Sequence, residues 1–407
     1  MTNNLAAKLL KYPTAIGRLA IVIINNVYCI PTYVVWMTML MPLKCLQPDI
    51  YYKIEGVFFH WLLAIVSMWS YSAGYDIVEC GDDIDECRDK RTLVIANHQS
   101  TADVPLLMAN FNTKDNILPN IMWIMDRLFK YTNFGIVSII HQDFFIKSGR
   151  KNRDESINAL KEHIKMSYIK RDRKWMVLFP EGGFLRKRRE VSKKFAEKND
   201  LPLLENVTIP RVGALKAIVE AMCVEESLAD RRVQEQQDHI SVKCQSGTKL
   251  EYSNSESLPN GEFFDNKNMN ITSNERKSEC LLEYVLDITI AYPNGRPLDL
   301  PNILHGWRDP CKTYMLYRLY KMCEIPKDEM ALTQWLYDRF IEKNTLLENF
   351  YKNGVFYMDR TSNATIIHQD VLRFLLINIF FITSTYFHYQ MLCTLYTYCV
   401  FLASGTS

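Results

Sequence analysis

A histidine and an aspartate stand five positions apart in the segment NHQSTAD, residues 97–103. The apolar run TLVIA precedes this segment and is typical of a buried strand. An imidazole changes its charge near neutral pH, and a nearby carboxylate can orient it and stabilise its protonated form. These residue types, in this position, indicate a general base, His98, oriented by Asp103.

The spacing of the two residues requires the chain to turn between them. On an ideal helix, five residues place two side chains about 140° apart. Ser100 as a helix N-cap, with Asp103 in the capping-box position, would supply such a turn. The motif alone leaves two interpretations open: Asp103 only caps a helix, or it also holds the imidazole of His98.

A second motif is LFPEGGFLRKRRE, residues 178–190. After a predicted strand it places Glu181 and then Gly182 and Gly183, and glycines let the backbone approach a ligand closely. Arg186 begins a run of four basic residues, and guanidinium groups suit phosphate oxygens. A solvated basic helix face, or a patch that binds a membrane surface, also explains the run.

Two further segments each carry cations after an apolar run. HQDFFIKSGR, residues 141–150, contains Lys147 and Arg150. VTIPRVGA, residues 207–214, contains Pro210 and Arg211. By themselves, both segments are also typical of ordinary strand ends and turns.

Strand-like and helix-like patterns alternate through the middle of the chain. Strands are predicted at 92–96, 121–125, 135–140, 174–180 and 284–292, and helices from 104, over 152–168 and over 328–350. Such alternation predicts a largely parallel α/β sheet. Residues 225–280 are polar and poor in aliphatic clusters, which predicts a mobile surface insertion.

Three long apolar segments flank this middle part, at residues 19–43, 56–75 and 374–407. Because about 20 apolar residues cross a hydrocarbon core, each is long enough to span a bilayer. Membrane association is therefore predicted, while spanning, re-entrant and interfacial arrangements all stay open.

The composition excludes some classes of protein. A net charge of +2 over 407 residues argues against a nucleic-acid-binding protein, and 48% hydrophobic residues allow a packed core. The 11 cysteines are scattered without C-x-x-C pairs, which indicates mostly free thiols. No metal-ligand spacing is present among the 8 histidines, so no metal site is predicted.

In this order, NHQSTAD, DFFIKSGR, FPEGG and IPRVGA resemble the four motif blocks of the glycerolipid acyltransferase family. FPEGGFLRKRRE and TIAYP are similar to the branch that acylates lysophosphatidylglycerol. The resemblance implies an α/β fold: a mixed, largely parallel sheet flanked by helices, with hydrophobic membrane helices at both termini. It also implies membrane-associated helices over 1–75, an acyltransferase domain over 76–350, and a C-terminal linker and membrane segment over 351–407.

The resemblance also assigns roles to residues. His98 would be the general base and Asp103 would orient it. Binding of the acceptor and its phosphate falls to Lys147, Arg150, Glu181, Gly182, Gly183 and Arg186, and binding of the acyl donor to Pro210 and Arg211. The sequence departs from the family pattern at Gln142, where a glycine is common, and at Gly183 and Phe184, where threonine and arginine are common.

The implied activity is esterification of the free hydroxyl of a lysophospholipid, lysophosphatidylglycerol or lysophosphatidylethanolamine, by acyl-CoA at the endoplasmic reticulum membrane. Acyl-CoA is a substrate, so no cofactor is expected. Three alternatives stay open: an acyltransferase for monoacylglycerol or another glycerolipid, a non-catalytic membrane-anchored interaction protein, and a metallohydrolase, which lacks supporting ligands. The sequence does not determine the oligomeric state.

Overall fold

A computed structural model of the chain describes residues 2–147, 149, 152–223, 280–356 and 364–404. The chain forms a large unit, Met1–Ala221 with Leu282–Ser407, and a small unit, Met222–Leu281. In the small unit, Cys223 and Cys280 form a disulfide that the sequence did not predict. Most of the insertion predicted over 225–280 lies outside the described residues.

An eight-stranded mixed sheet forms the centre of the large unit. Its strands are β1 Tyr75–Gly81, β2 Thr92–Ala96, β3 Ile121–Asp126, β4 Phe144–Ile146, β5 Trp175–Leu178, β6 Tyr284–Ala291, β7 Cys311–Lys321 and β8 Thr365–Ile366. The order is β4-β3-β5-β2-β6-β7-β1-β8. The strands from β4 to β6 are mutually parallel, β7 runs antiparallel to β6, and β8 antiparallel to β1. The mixed, largely parallel sheet predicted from the sequence is confirmed.

Helices flank this sheet. They are α1 Thr2–Met39, α2 Met41–Leu46, α3 Pro48–Tyr71, α4 Asp103–Phe111, α5 Gly135–His141, α6 Arg153–His163, α7 Leu185–Lys198, α8 Val212–Met222, α9 Leu300–His305, α10 Glu329–Asn353 and α11 Val371–Ser404. The core cluster joins α3 and α4 to Val94 and Ala96 on one face of β2. Leu93 and Ile95 point to the other face and are also fully buried, so β2 is an unbroken apolar run.

The segment GIVSII was predicted as a strand, and this prediction is wrong, because the segment forms helix α5. Val137, Ser138 and His141 are buried, whereas Ile136 and Ile139 are exposed. This spacing follows the helical period rather than strand alternation. The density of β-branched residues favoured a strand, but packing of one face against the core determined the structure.

Three helices are long and apolar enough to cross a membrane: Lys11–Met39 in α1, Pro48–Tyr71 and Val371–Ser404. This confirms the apolar helices predicted at both ends of the chain. In α1 and α11 most of the apolar window is exposed, whereas 67% of the window in α3 is buried within the protein. The two exposed helices contact each other through Thr32 and Thr385, whose hydroxyl oxygens lie 2.7 Å apart.

Helix α3 is fixed to the sheet by a buried ion-pair network around Glu55. One carboxylate oxygen lies 2.8 Å from His141 Nδ1, and the other accepts a hydrogen bond from Arg171 Nη2 at 2.5 Å. Tyr33 of α1 also donates to Glu55, at 2.8 Å. Because His141 ends α5, this network ties α1 and α3 to the end of the sheet that carries β4.

Candidate active site

The segment that follows β2 is held in place by its own first residue. The side chain of Asn97 donates to Ile290 O at 3.0 Å and accepts from Ile290 N at 2.7 Å. This pair of bonds replaces a continued backbone ladder with the neighbouring strand β6. The backbone that leads from β2 to His98 is therefore held in a fixed position and is not a free loop.

His98 and Asp103 form a hydrogen-bonded pair. His98 Nδ1 lies 2.8 Å from Asp103 Oδ2. The same carboxylate oxygen accepts from the backbone N–H groups of Gln99 at 2.7 Å and Ser100 at 2.9 Å. Since an ionised carboxylate only accepts, Nδ1 carries the proton and the Nε2 lone pair is left free. Within the described ranges, no hydrogen bond reaches Nε2. This is the tautomer that a general base needs.

The turn between the two residues differs from the predicted one. Helix α4 begins at Asp103, its N-cap is Ala102, and no side chain caps it. Ser100 Oγ instead accepts from the backbone N–H of Ala102 at 3.0 Å. The prediction of Ser100 as N-cap is therefore wrong. The Asp103 carboxylate bonds to amides of the preceding turn, and this leaves it directed at the imidazole.

The sequence did not identify a third member of this cluster, Tyr292. Its hydroxyl donates to Asp103 Oδ1 at 2.5 Å, and the side chain is fully buried. Burial raises the pKa of Tyr292 well above its usual value, so the hydroxyl keeps its proton and remains a donor. Tyr292 directly follows β6, the neighbour of β2. Only the strand order reveals that it meets Asp103.

Two aromatic rings enclose the imidazole of His98. Phe179 stacks on it with ring centroids 4.2 Å apart, and Phe184 lies at 4.4 Å in a tilted orientation. Both rings belong to the FPEGGF segment that follows β5. They fix the ring plane and keep water from most of its surface.

Glu181 joins three of the sequence motifs. One carboxylate oxygen accepts from His98 N at 2.6 Å, and the other accepts from Thr208 N at 2.9 Å and Thr208 Oγ1 at 2.7 Å. Leu185 N donates to His98 O at 2.8 Å on the other side of the same peptide segment. Burial raises the pKa of Glu181 to about 7. Through these contacts Glu181 holds the backbone of His98 in place. Its predicted contact with an acceptor remains a prediction.

The two glycines after Glu181 make room for arginine side chains. Gly182 has φ +66°, and a Cβ added there would lie 3.2 Å from Arg211 Cδ. Gly183 has φ +149°, and an added Cβ would lie 3.3 Å from Arg188 Cγ and Cδ. The structure thus brings Arg211 to this loop, and also Arg188, which the sequence did not single out beyond its basic run.

The remaining predicted residues lie elsewhere. Lys147 directly follows β4, which lies three strands from β2, and it pairs with Glu155 at 2.5 Å. Arg186 is exposed on the first turn of α7, and Pro210 is buried beside Arg211. Arg150 lies outside the described residues. The structure does not bring Lys147 into contact with His98, and the predicted roles of these four residues remain predictions.

No cluster of three or more histidine, cysteine, aspartate or glutamate side chains suited to a metal ion occurs in the described ranges. The expectation of a site without metal or cofactor stays a prediction.

Known proteins match nearly the whole chain. Family models named acyltransferase and acyltransferase C-terminus match residues 80–224 and 302–382. Acyl-CoA:lysophosphatidylglycerol acyltransferase 1 of Homo sapiens is 37% identical over 390 residues, and that of Mus musculus 38% over 393, each covering 95% of both chains. A putative 1-acyl-sn-glycerol-3-phosphate acyltransferase of Caenorhabditis elegans is 27% identical over 81% of this chain and 74% of its own. No solved structure gives a significant match. The chain therefore belongs to the acyltransferase family.

Proposed function

We propose that this protein transfers the acyl group of an acyl-CoA to the free hydroxyl of a lysophospholipid, lysophosphatidylglycerol or lysophosphatidylethanolamine, with His98 as general base. The observation that carries the proposal is the His98–Asp103 pair, with Nδ1 held at 2.8 Å and Nε2 free. The likeness to two acyl-CoA:lysophosphatidylglycerol acyltransferases over 95% of the chain supports the choice of substrates.

In the proposed reaction, His98 Nε2 takes the hydroxyl proton while the oxygen attacks the thioester carbonyl carbon. The new C–O bond forms a tetrahedral oxyanion, which collapses as the C–S bond breaks. The proton passes from the imidazolium to the CoA thiolate, so the residue returns to its starting state. Asp103 stabilises the imidazolium formed in between. A positioned base of this kind contributes roughly 10²–10⁴ in rate.

The substrates' phosphate groups need cations near His98. Arg188 and Arg211 lie over the glycine loop that Glu181 and Leu185 tie to the backbone of His98. Guanidinium groups bind phosphate oxygens through paired N–H donors. We assign the phosphate contacts nearest the reacting atoms to this arginine pair, and keep Lys147, Arg150 and Arg186 as the predicted outer cations.

We also propose that the protein resides in the endoplasmic reticulum membrane with this site facing the cytosol, where acyl-CoA is soluble. Protease protection of intact microsomes tests this orientation. We expect an acyltransferase domain that is accessible to the protease. A protected domain would place the site in the lumen.

The experiment for the activity is an acyl-transfer assay in microsomal membranes with a panel of lysophospholipids, monoacylglycerol and several acyl-CoAs. Wild-type protein is compared with His98→Ala and with a control, His305→Ala, in the short helix α9. We expect the wild-type protein to acylate the lysophospholipid. The rate of transfer should fall at least about 100-fold in His98→Ala and should not change in the control.

Three outcomes would contradict the proposal. Full transfer by His98→Ala would show that His98 is not the general base. Transfer to monoacylglycerol alone would show that the acceptor is a glycerolipid without a phosphate. If the wild-type protein acylates no acceptor in the panel, the alternative of a non-catalytic membrane protein is favoured.

A further inference from the structure

A group of exposed apolar side chains projects from the segment between β3 and β4. Its members are Leu128, Phe129, Tyr131, Ile136 and Ile139, here called the 128–139 surface. Leu128 is 75% exposed and Tyr131 72%, on a short 3₁₀ turn over Arg127–Tyr131. Isolated exposed apolar residues are common, but five within twelve positions form a patch that normally meets a partner.

This surface lies at the catalytic edge of the sheet. Strands β3, β5 and β2 are parallel neighbours, with Trp123 opposite Val177 and Val177 opposite Val94. The segments that follow parallel strands leave the same edge, so the turn after β3 and the segment carrying His98 leave it together. Two strand spacings, roughly 10 Å, separate the two strands. A partner on the 128–139 surface therefore also faces the site.

The surface continues onto the candidate membrane helix α1. Asn133 Nδ2 donates to Asn26 Oδ1 at 3.1 Å, which fixes the segment to the middle of that helix. Around this contact, Ile23, Ile24 and Val27 of α1 are exposed. The exposed apolar side chains of the 128–139 surface thus continue the exposed apolar surface of α1, and both are suited to contact with lipid.

The charged side chains beside this surface also suit contact with a lipid bilayer. Arg127 and Lys130 flank the exposed apolar side chains and are themselves exposed. No salt bridge of Lys130 occurs within the described residues. Long cationic side chains beside apolar ones are typical of the bilayer interface, where the apolar group enters the acyl region and the cation meets lipid phosphates.

We infer that the 128–139 surface inserts into the bilayer leaflet and holds the catalytic edge against the lipid that supplies the acceptor. The contact with lipid depends only on the geometry described above. Its consequence for delivery of the acceptor rests on the proposed function. A lysophospholipid would then reach His98 from the membrane without crossing water.

Photo-crosslinking of the full chain in native membranes tests the contact. Benzoyl-phenylalanine replaces Leu128 in one variant and Tyr131 in another, and Met330, which is 81% exposed on α10, in a control. We expect lipid adducts at 128 and 131 at least about tenfold above those at 330. Equal labelling at all three positions, or adducts with a protein instead of lipid, would overturn the inference.

A kinetic comparison tests the consequence. In the double variant Leu128→Ser with Tyr131→Ser, the apparent KM for a long-chain lysophospholipid in bilayers should rise about tenfold. The rate with a short-chain, water-soluble lysophospholipid should not change. An unchanged KM would refute the role in substrate delivery. Lipid adducts at positions 128 and 131, together with no acyl transfer by wild-type protein, would instead refute the proposed function.

Discussion

Removing a single hydroxyl, in Tyr292→Phe, tests whether the buried tyrosine is part of the proposed catalytic cluster. The change deletes the donor that lies 2.5 Å from Asp103 Oδ1 and keeps the ring that fills the space. The other carboxylate oxygen retains its bonds to His98 Nδ1, Gln99 N and Ser100 N. The variant should therefore fold, with Asp103 held by one oxygen rather than by both.

The expected size follows from the kind of bond that is lost. A hydrogen bond to a charged group contributes about 1.5–3 kcal/mol. Because three donors remain on Asp103, we expect the lower end of this range. If that loss falls on positioning of the base in the transition state, kcat decreases about tenfold. A carboxylate with one donor fewer also stabilises an imidazolium more strongly, so the acid limb of kcat/KM should move to higher pH.

The assay is acyl transfer to a lysophospholipid from pH 5 to 9, beside thermal unfolding. Tyr317→Phe is the matched control, since this buried tyrosine donates to Asn110 at 2.7 Å and does not contact Asp103. Both variants should lose similar stability, and only Tyr292→Phe should change the pH profile. The role assigned to Tyr292 is refuted if both variants give the same profile, or if Tyr292→Phe keeps full kcat.

Three further predictions concern the scaffold. Glu55→Gln removes the charge that pairs with Arg171 in the protein interior, and it should lower the free energy of unfolding by about 3–5 kcal/mol in detergent. The control Glu162→Gln breaks an exposed ion pair and should change this free energy by less than about 1 kcal/mol. Gln142 has φ +63°, so Gln142→Gly should raise the melting temperature by relieving about 1 kcal/mol of backbone strain. Burial raises the pKa of Glu181 from 4.5 to about 7, so the folded protein binds the extra proton between these values and stability falls as pH rises through them. Relative to Glu181→Gln, wild-type protein should lose about 3 kcal/mol between pH 4.5 and 8, as measured by unfolding at a series of pH values.

The sequence predicted those features of the site that depend on neighbouring residues. His98 and Asp103 are five residues apart, and a turn after a predicted strand suffices to bring them together. Four of the five mutually parallel strands, β2, β3, β5 and β6, also followed from local patterns, since buried parallel strands are continuous apolar runs. The fifth, β4, has only three residues and was not among the predicted strands. The strand β7 was not predicted, because its antiparallel pairing with β6 leaves no comparable run.

The features that the sequence missed depend on contacts between distant parts of the chain. Tyr292 is 189 positions from Asp103, and Thr208 is 27 positions from Glu181. A tyrosine after a strand and a threonine in a loop carry no local signal of a catalytic contact. Arg188 was one of four adjacent basic residues, and only its packing on Gly183 distinguishes it. Strand order and side-chain direction, which determine these contacts, do not follow from spacing.

The part of the chain after residue 280 is therefore required for the site, although the motif blocks all precede it. Tyr292 donates to Asp103, and Tyr351 of α10 accepts from Gln99 Nε2 at 2.8 Å. Asn97 is fixed by the backbone of Ile290. Each of these contacts reaches the short segment that carries the proposed base, and each comes from β6 or beyond. A chain that kept all four motifs but lost these contacts would retain His98 without the groups that fix its position and tautomer. The four motifs alone thus do not define the site, because the groups that complete it lie on the neighbouring strand and on α10.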